Sequence, residues 1–128
     1  MDKIKITIPF MSISVNEAFA WYPKRHKSNS YKEFENKMFK FFAELWERFE
    51  ITWENFLEVK YIFYFKIYNK DWSIKQKDTF NYEKVLSDCL SKHIKGFEDK
   101  KIKYWIVWKI DSDTEKMEVE IKEIIINK

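Results

Sequence analysis

Gly96 is the only glycine in 128 residues, and a chain with so little access to left-handed backbone is denied every fold built on glycine-rich turns. A G-x-G-x-x-G dinucleotide loop and a Walker-type phosphate loop each need several glycines so that backbone can approach a phosphate. Both are excluded, and with them a nucleotide cofactor held in either way. The inventory of soft ligands is as sparse: Cys89, His26 and His93 are too few for a cysteine-rich zinc site, a disulfide framework or an HExxH metalloprotease helix. Bulk is what the chain has in excess. Hydrophobic residues make up 45%, aromatic residues 20% and charged residues 35%, the balance of a globular protein that buries about two thirds of its unfolded surface without metal or disulfide staples. No apolar run exceeds about five residues, and the start Met1-Asp2-Lys3 precedes too short an apolar stretch for a signal peptide. The expectation is a cytoplasmic protein that does not enter membranes.

No repeat, low-complexity tract or Pro/Gly/Ser linker interrupts the sequence, so residues 1–128 read as a single domain. Lys3 to Ile8 alternates with period two and stops at Pro9, which predicts a strand with Ile4, Ile6 and Ile8 inward. A basic loop with Lys24-Arg25-His26-Lys27 follows. Ser30 and Glu33 have capping-box spacing, and Phe34, Met38, Phe41, Phe42, Leu45 and Phe49 recur as one face of a helix over about 31–49. Val59, Tyr61, Phe63, Phe65 and Ile67 form one face of a second strand, with Lys60 and Lys66 opposite. Tyr82, Val85, Leu86, Cys89 and Leu90 mark a second helix over about 80–94, capped by Gly96. Ile102 to Ile110 alternates, Asp111-Ser112-Asp113-Thr114 reverses the chain, and Met117, Val119 and Ile121 alternate back as a hairpin. The order is β-α-β-α-β-β, an α+β fold with a mixed β-sheet and two helices.

The net charge of +3 says little by itself, but its distribution is uneven. Residues 59–110 carry twelve basic and six acidic groups, whereas 33–58 carry three and seven. A fold that gathers the basic segments would present an electropositive face for a polyanion. Against that background the second helix has an unusual polar flank. Asn81, Lys84 and Asp88 fall within about 60° of one another beside its apolar stripe. Asp78 precedes the helix, and Glu98-Asp99 follows Gly96 at the mouth of the next strand. Converging carboxylates repel, a divalent cation relieves the repulsion, and Mg²⁺ favours such oxygen donors. Each member also has an ordinary reading: Asp78 as an N-cap, Lys84 and Asp88 as an i,i+4 pair, Glu98-Asp99 as a solvated turn. Asp111, Asp113 and Glu115 do not make a calcium loop, because Lys116 stands at its obligatory glycine. His26 lies in the basic cluster, and His93 sits where it favours a helix C-terminus.

The string Asp78-Thr79-Phe80-Asn81-Tyr82-Glu83-Lys84, then Asp88, then Glu98-Asp99 opening a strand, resembles the signature of the RusA family of Holliday junction resolvases. Ile6-Thr7-Ile8-Pro9, Ser14-Val15-Asn16, the basic loop and Ser30-Tyr31-Lys32 are similar to that family's opening. The resemblance implies a small, homodimeric, metal-dependent endonuclease, of a kind often encoded by phages or prophages, that nicks four-way DNA junctions; a virus-encoded member would act in the host cytoplasm. It implies that Asp78 and Asp99 ligate Mg²⁺ or Mn²⁺ with Asp88 near the same site, that Lys84 is an essential cation, and that Asn81 orients the acidic loop. Glu98 replaces an aspartate and keeps its carboxylate. Phe80 is the departure, standing where many members have a second aspartate, Ser or Thr. Either Asp88 takes over as ligand, or the chain is a non-catalytic nucleic-acid-binding protein on the same fold. Lys24, Arg25, Lys27, Lys75 and Lys77 are the expected phosphate contacts. Most of the aromatic residues read as core; Trp72 and Trp21-Tyr22, set among lysines, are the candidates for stacking on unpaired bases. Resolving a junction takes two related nicks, so a two-fold homodimer is expected, with contact material in the first helix and in Ile124-Ile125-Ile126.

Overall fold

The computed structural model describes residues 3–20, 25–45, 47–52, 55–74 and 79–124. Lys24, Lys75, Lys77, Asp78, Trp21, Tyr22, Ile125 and Ile126 lie outside the described residues. Period-two alternation yields strands where it was read: β1 (Lys3–Ile8) buries Ile6 and Ile8, and β4 (Phe56–Phe65) buries Leu57, Val59, Tyr61, Phe63 and Phe65 on one face. The basic stretch after β1 is more ordered than a loop. It holds α1 (Val15–Ala18) and a two-stranded antiparallel sheet of β2 (Phe19–Ala20) and β3 (His26–Lys27).

The first long helix, α2 (Asn29–Glu44), is capped by Ser28 and not by Ser30. The Ser28 hydroxyl accepts the Tyr31 N–H at 3.1 Å and donates to the Glu17 carbonyl, so one side chain caps α2 and ties it to α1. The helix also stops at Glu44, short of Phe49. Tertiary structure overrides periodicity here: Ile51 N–H donates to the Lys95 carbonyl at 2.7 Å, which holds this segment extended beside the turn after the second long helix. That helix, α3 (Thr79–His93), buries Val85, Leu86, Cys89 and Leu90. Gly96 then turns the chain at φ +86, and a Cβ there would meet the Ile51 carbonyl oxygen at 2.1 Å. No other residue fits.

β5 (Ile102–Asp111) and β6 (Lys116–Ile124) complete a four-stranded mixed sheet in the order β1-β6-β4-β5. The expected hairpin is therefore not formed. β4 lies between its two arms, parallel to β5 and antiparallel to β6, and residues 112–115 cross over the end of β4, where Ser112 N–H donates to the Phe65 carbonyl at 3.0 Å. Four residues reach across one strand width, which alternation alone cannot distinguish from a tight turn. Parallel β4 and β5 are joined by α3 as a crossover. Helices α2 and α3 cover the sheet face made by Ile6, Ile8, Val59, Tyr61, Phe63, Met117, Val119 and Ile121. The register shifts between Leu57 and Glu58, where Lys103 is the extra residue on β5, so that Ile102 enters the core while Tyr104, Ile106, Trp108 and Ile110 line the opposite face. Among the described residues no helix is long and apolar enough to cross a membrane.

Candidate active site

α3 delivers the polar flank read from its periodicity. With Val85, Cys89 and Leu90 locked in the core, Lys84 and Asp88 project to solvent one turn apart. Glu98 and Asp99 are exposed at the start of the 3-10 turn Asp99–Lys101 that feeds β5, so the βαβ crossover returns the chain beside the helix. Asp99 faces Asp88 closely enough to act on it: partial burial first, and then the Asp99 charge, raise the Asp88 carboxyl above the ordinary aspartate range, opposed by Lys84, Lys92 and Lys27. Glu98 forms an exposed ion pair with Lys100 at 3.6 Å. Asn81 lies in the first turns of α3.

Glu83 is a member that sequence reasoning missed. Its carboxyl is raised by burial and, in spite of the Ser87 hydrogen bond, by the charges of Asp99 and Asp88. Ser87 donates to it at 2.6 Å and shares a 2.7 Å hydrogen bond with the fully buried Tyr61 hydroxyl, whose own ionisation burial strongly disfavours. A core strand thus fixes the orientation of an acid on the helix. Spacing could have flagged Glu83 and Ser87 as an i,i+4 pair; Tyr61, on β4, carried no such signal.

The basic rim is built differently from expectation. Lys27 donates to Glu35 of α2 at 3.0 Å, and Lys92 of α3 donates to the same carboxylate oxygen, so one acid gathers two cations next to the acidic group. Arg25 lies over the Phe19 ring at 3.9 Å. The described donors are hard carboxylate oxygens whose mutual repulsion a divalent cation would relieve, which suits Mg²⁺ or Mn²⁺. No three acids, histidines or cysteines among the described residues are close enough to hold a metal by themselves; Asp78, expected as the third carboxylate, is outside that set.

The family model described as Endodeoxyribonuclease RusA matches residues 13–122, a span that takes in α1 through almost all of β6. No curated protein matches the chain.

Proposed function

Since this chain belongs to the endodeoxyribonuclease RusA family, we propose that it is a divalent-metal-dependent endonuclease that resolves four-way DNA junctions by phosphodiester hydrolysis, with Asp78, Asp88 and Asp99 as the metal-holding set. The observation that carries this reading is that Asp88 and Asp99 come from separate elements and the Asp99 charge reaches the Asp88 carboxyl and raises it, beside the exposed cation Lys84. Mg²⁺ or Mn²⁺ bound there would supply Lewis-acid stabilisation of the phosphate and a more acidic water. The chain's own groups do the rest. Lys84 adds a fixed positive charge where the pentacovalent phosphate accumulates negative charge. Glu83, held through Ser87 by Tyr61, keeps the acidic face aligned with Asp99. Lys27 and Lys92, gathered by Glu35, join Lys24, Arg25, Lys75 and Lys77 as contacts to the DNA backbone. Asn81 is assigned to the order of the segment around Asp78, and Glu98 to the turn that presents Asp99.

A homodimer would pair two such centres across a junction. Support comes from the sheet face opposite the helices, where Phe56, Tyr104, Trp108 and Ile110 are 37–53% exposed on adjacent strands β4 and β5. On α2, Phe34, Met38 and Phe42 are buried in the protein's own core, while Phe39 stays exposed as contact material for a partner.

Nicking of a four-way junction in Mg²⁺ or Mn²⁺ tests the reading. Asp99→Asn and Asp78→Asn should each lower nicking by at least 100-fold while junction binding persists, since the amide keeps shape and loses the charge that holds the cation. Full activity in either variant removes that residue from the site. Junction binding with no nicking by the unaltered protein under any divalent ion would assign it instead as a non-catalytic binding protein, with Phe80 the missing ligand.

A further inference from the structure

Between β4 and α3 the chain makes a small hairpin. Tyr68 and Ile74 pair across it, Asn69 N–H donates to the Ser73 carbonyl at 2.8 Å, and Trp72 N–H donates to the Asn69 carbonyl at 2.9 Å. That pattern is a three-residue loop, Lys70-Asp71-Trp72, whose last residue is left-handed. Glycine is the residue such a position selects, yet here it is tryptophan, with φ 68. Asp71 fixes the loop by accepting the Ser73 N–H and hydroxyl, and the Asn69 side-chain amide donates to the Ser73 hydroxyl at 3.0 Å. The turn is pinned on every side, and what it presents is an indole 80% exposed to water. A strained backbone and an unburied large aromatic are two separate costs at one residue, and neither serves the fold.

The surroundings say what the indole fits. Trp72 and Tyr68, with ring centroids 6.2 Å apart, wall a 360 Å³ groove that Lys66 and Lys70 border and Asp111 and Asp113 also line. One Asp111 oxygen is used by Ile67 N–H at 2.9 Å. Acids in a DNA-facing groove repel phosphate, but a carboxylate accepts the exocyclic amino groups of bases. Aromatic walls, carboxylate acceptors and lysines outside them describe a receptacle for a nucleobase whose phosphates stay at the rim. Only four residues separate Ile74 from Thr79, a reach of at most about 17 Å, so the hairpin is tethered within about five nucleotide steps of Asp78.

We propose that Trp72 stacks on an unpaired or splayed base at the branch point, with Tyr68 beside it and Asp113 receiving the base's amino group. This rests on the reading of the chain as a junction nuclease. Its biological point is selection: a perfect duplex has no free base face to offer, whereas a branch point exposes bases at little cost.

Trp72→Gly gives the cleanest test, because glycine relaxes the left-handed position while it deletes the ring. Binding is measured without divalent metal to three probes: a four-way junction with 2-aminopurine at its branch point, the perfect duplex, and a single-stranded oligonucleotide bearing 2-aminopurine. Thermal unfolding of the variant is measured alongside. Expected are an unchanged or higher midpoint, junction and single-strand affinity weaker by about 5- to 150-fold, unchanged duplex affinity, and near-normal binding by Trp72→Phe. Equal affinity of Trp72→Gly and the unaltered protein for all three probes overturns the proposal. An unaltered protein that prefers neither junction nor duplex, yet loses single-strand binding on Trp72→Gly, upholds the stacking and overturns the junction reading. No binding to any probe overturns both.

Discussion

At the scale of single residues, the chain's one glycine and the most exposed tryptophan among the described residues occupy the same region of backbone space for opposite reasons. Gly96 is at φ +86 because the turn after α3 presses against the Ile51 carbonyl, where no Cβ fits. Trp72 is at φ 68 in open solvent, where a Cβ is merely strained. Gly96→Ala should therefore cost about 1–3 kcal/mol from the backbone alone, and more from the clash. The check is the chemical-denaturation midpoint; a value equal to that of the unaltered protein would show that the Ile51 segment yields. Such residue-level constraint also sets what was readable in advance. Lys84, Asp88 and Asp99 were legible because helical angle and chain order placed them. Glu35 as the acid that gathers Lys27 and Lys92, or Tyr61 as the anchor beneath Glu83, depended on side chains from elements far apart in sequence, and no local pattern encodes those contacts.

At the scale of elements, the α2–α3 contact is one that proton concentration can reach. His93 stacks on Phe42 with centroids 4.7 Å apart and near-parallel planes, beside Phe39 and Lys92, and burial first and then the Lys92 charge push its pKa below the ordinary 6.5. The folded state thus holds a proton on His93 less readily than the unfolded state does. Its contribution is complete above pH 6.5 and declines as pH falls from there through the lowered folded value. Glu35 adds a second window. Burial works to raise its carboxyl, and the hydrogen bonds from Lys92 and Lys27 outweigh it, so the pKa lies below the ordinary 4.5 and the stability it confers is lost as pH falls from 4.5. The raised carboxyls of Glu83 and Asp88 act with the opposite sign as pH falls, so the test is by variant. His93→Gln should lose less of its melting midpoint than the unaltered protein between pH 6.5 and 5, and Glu35→Gln less below pH 4.5; parallel profiles of His93→Gln and the unaltered protein would falsify the His93 step. Element existence was well marked in the sequence, since all four long strands and both long helices follow their periodicities. Boundaries and pairing were not. The end of α2 is set by the Ile51–Lys95 hydrogen bond, the Ser28 cap by its reach to Glu17, and the separation of β5 from β6 by the intrusion of β4, each a tertiary event invisible to a sliding window.

At the scale of the whole molecule, the sheet has a helix-covered face and an aromatic one. Lys60 lies over the Trp108 ring at 4.0 Å and Lys103 over Phe56 at 5.4 Å, so cations shield part of that second face without burying it. If two copies meet there, light scattering should give about twice the 15.9 kDa of one chain, and Trp108→Glu with Tyr104→Lys should halve that mass while leaving the circular dichroism unchanged. A monomer at micromolar concentration before any substitution would remove this face from consideration. The strand order carries a further consequence, for the timing of synthesis. Among the described residues β1 pairs with β6 alone, Ile8 opposite Met117, and β4 has neighbours only in β5 and β6. A ribosome therefore releases α2, β4 and α3 before any of the four-stranded sheet can form, and within that sheet the earliest strand in the sequence is the last to find its place. Until β6 emerges, the isoleucines of β1 have no partner strand and β4 has β5 on one side alone, which makes the nascent chain, rather than the finished protein, the form most exposed to aggregation.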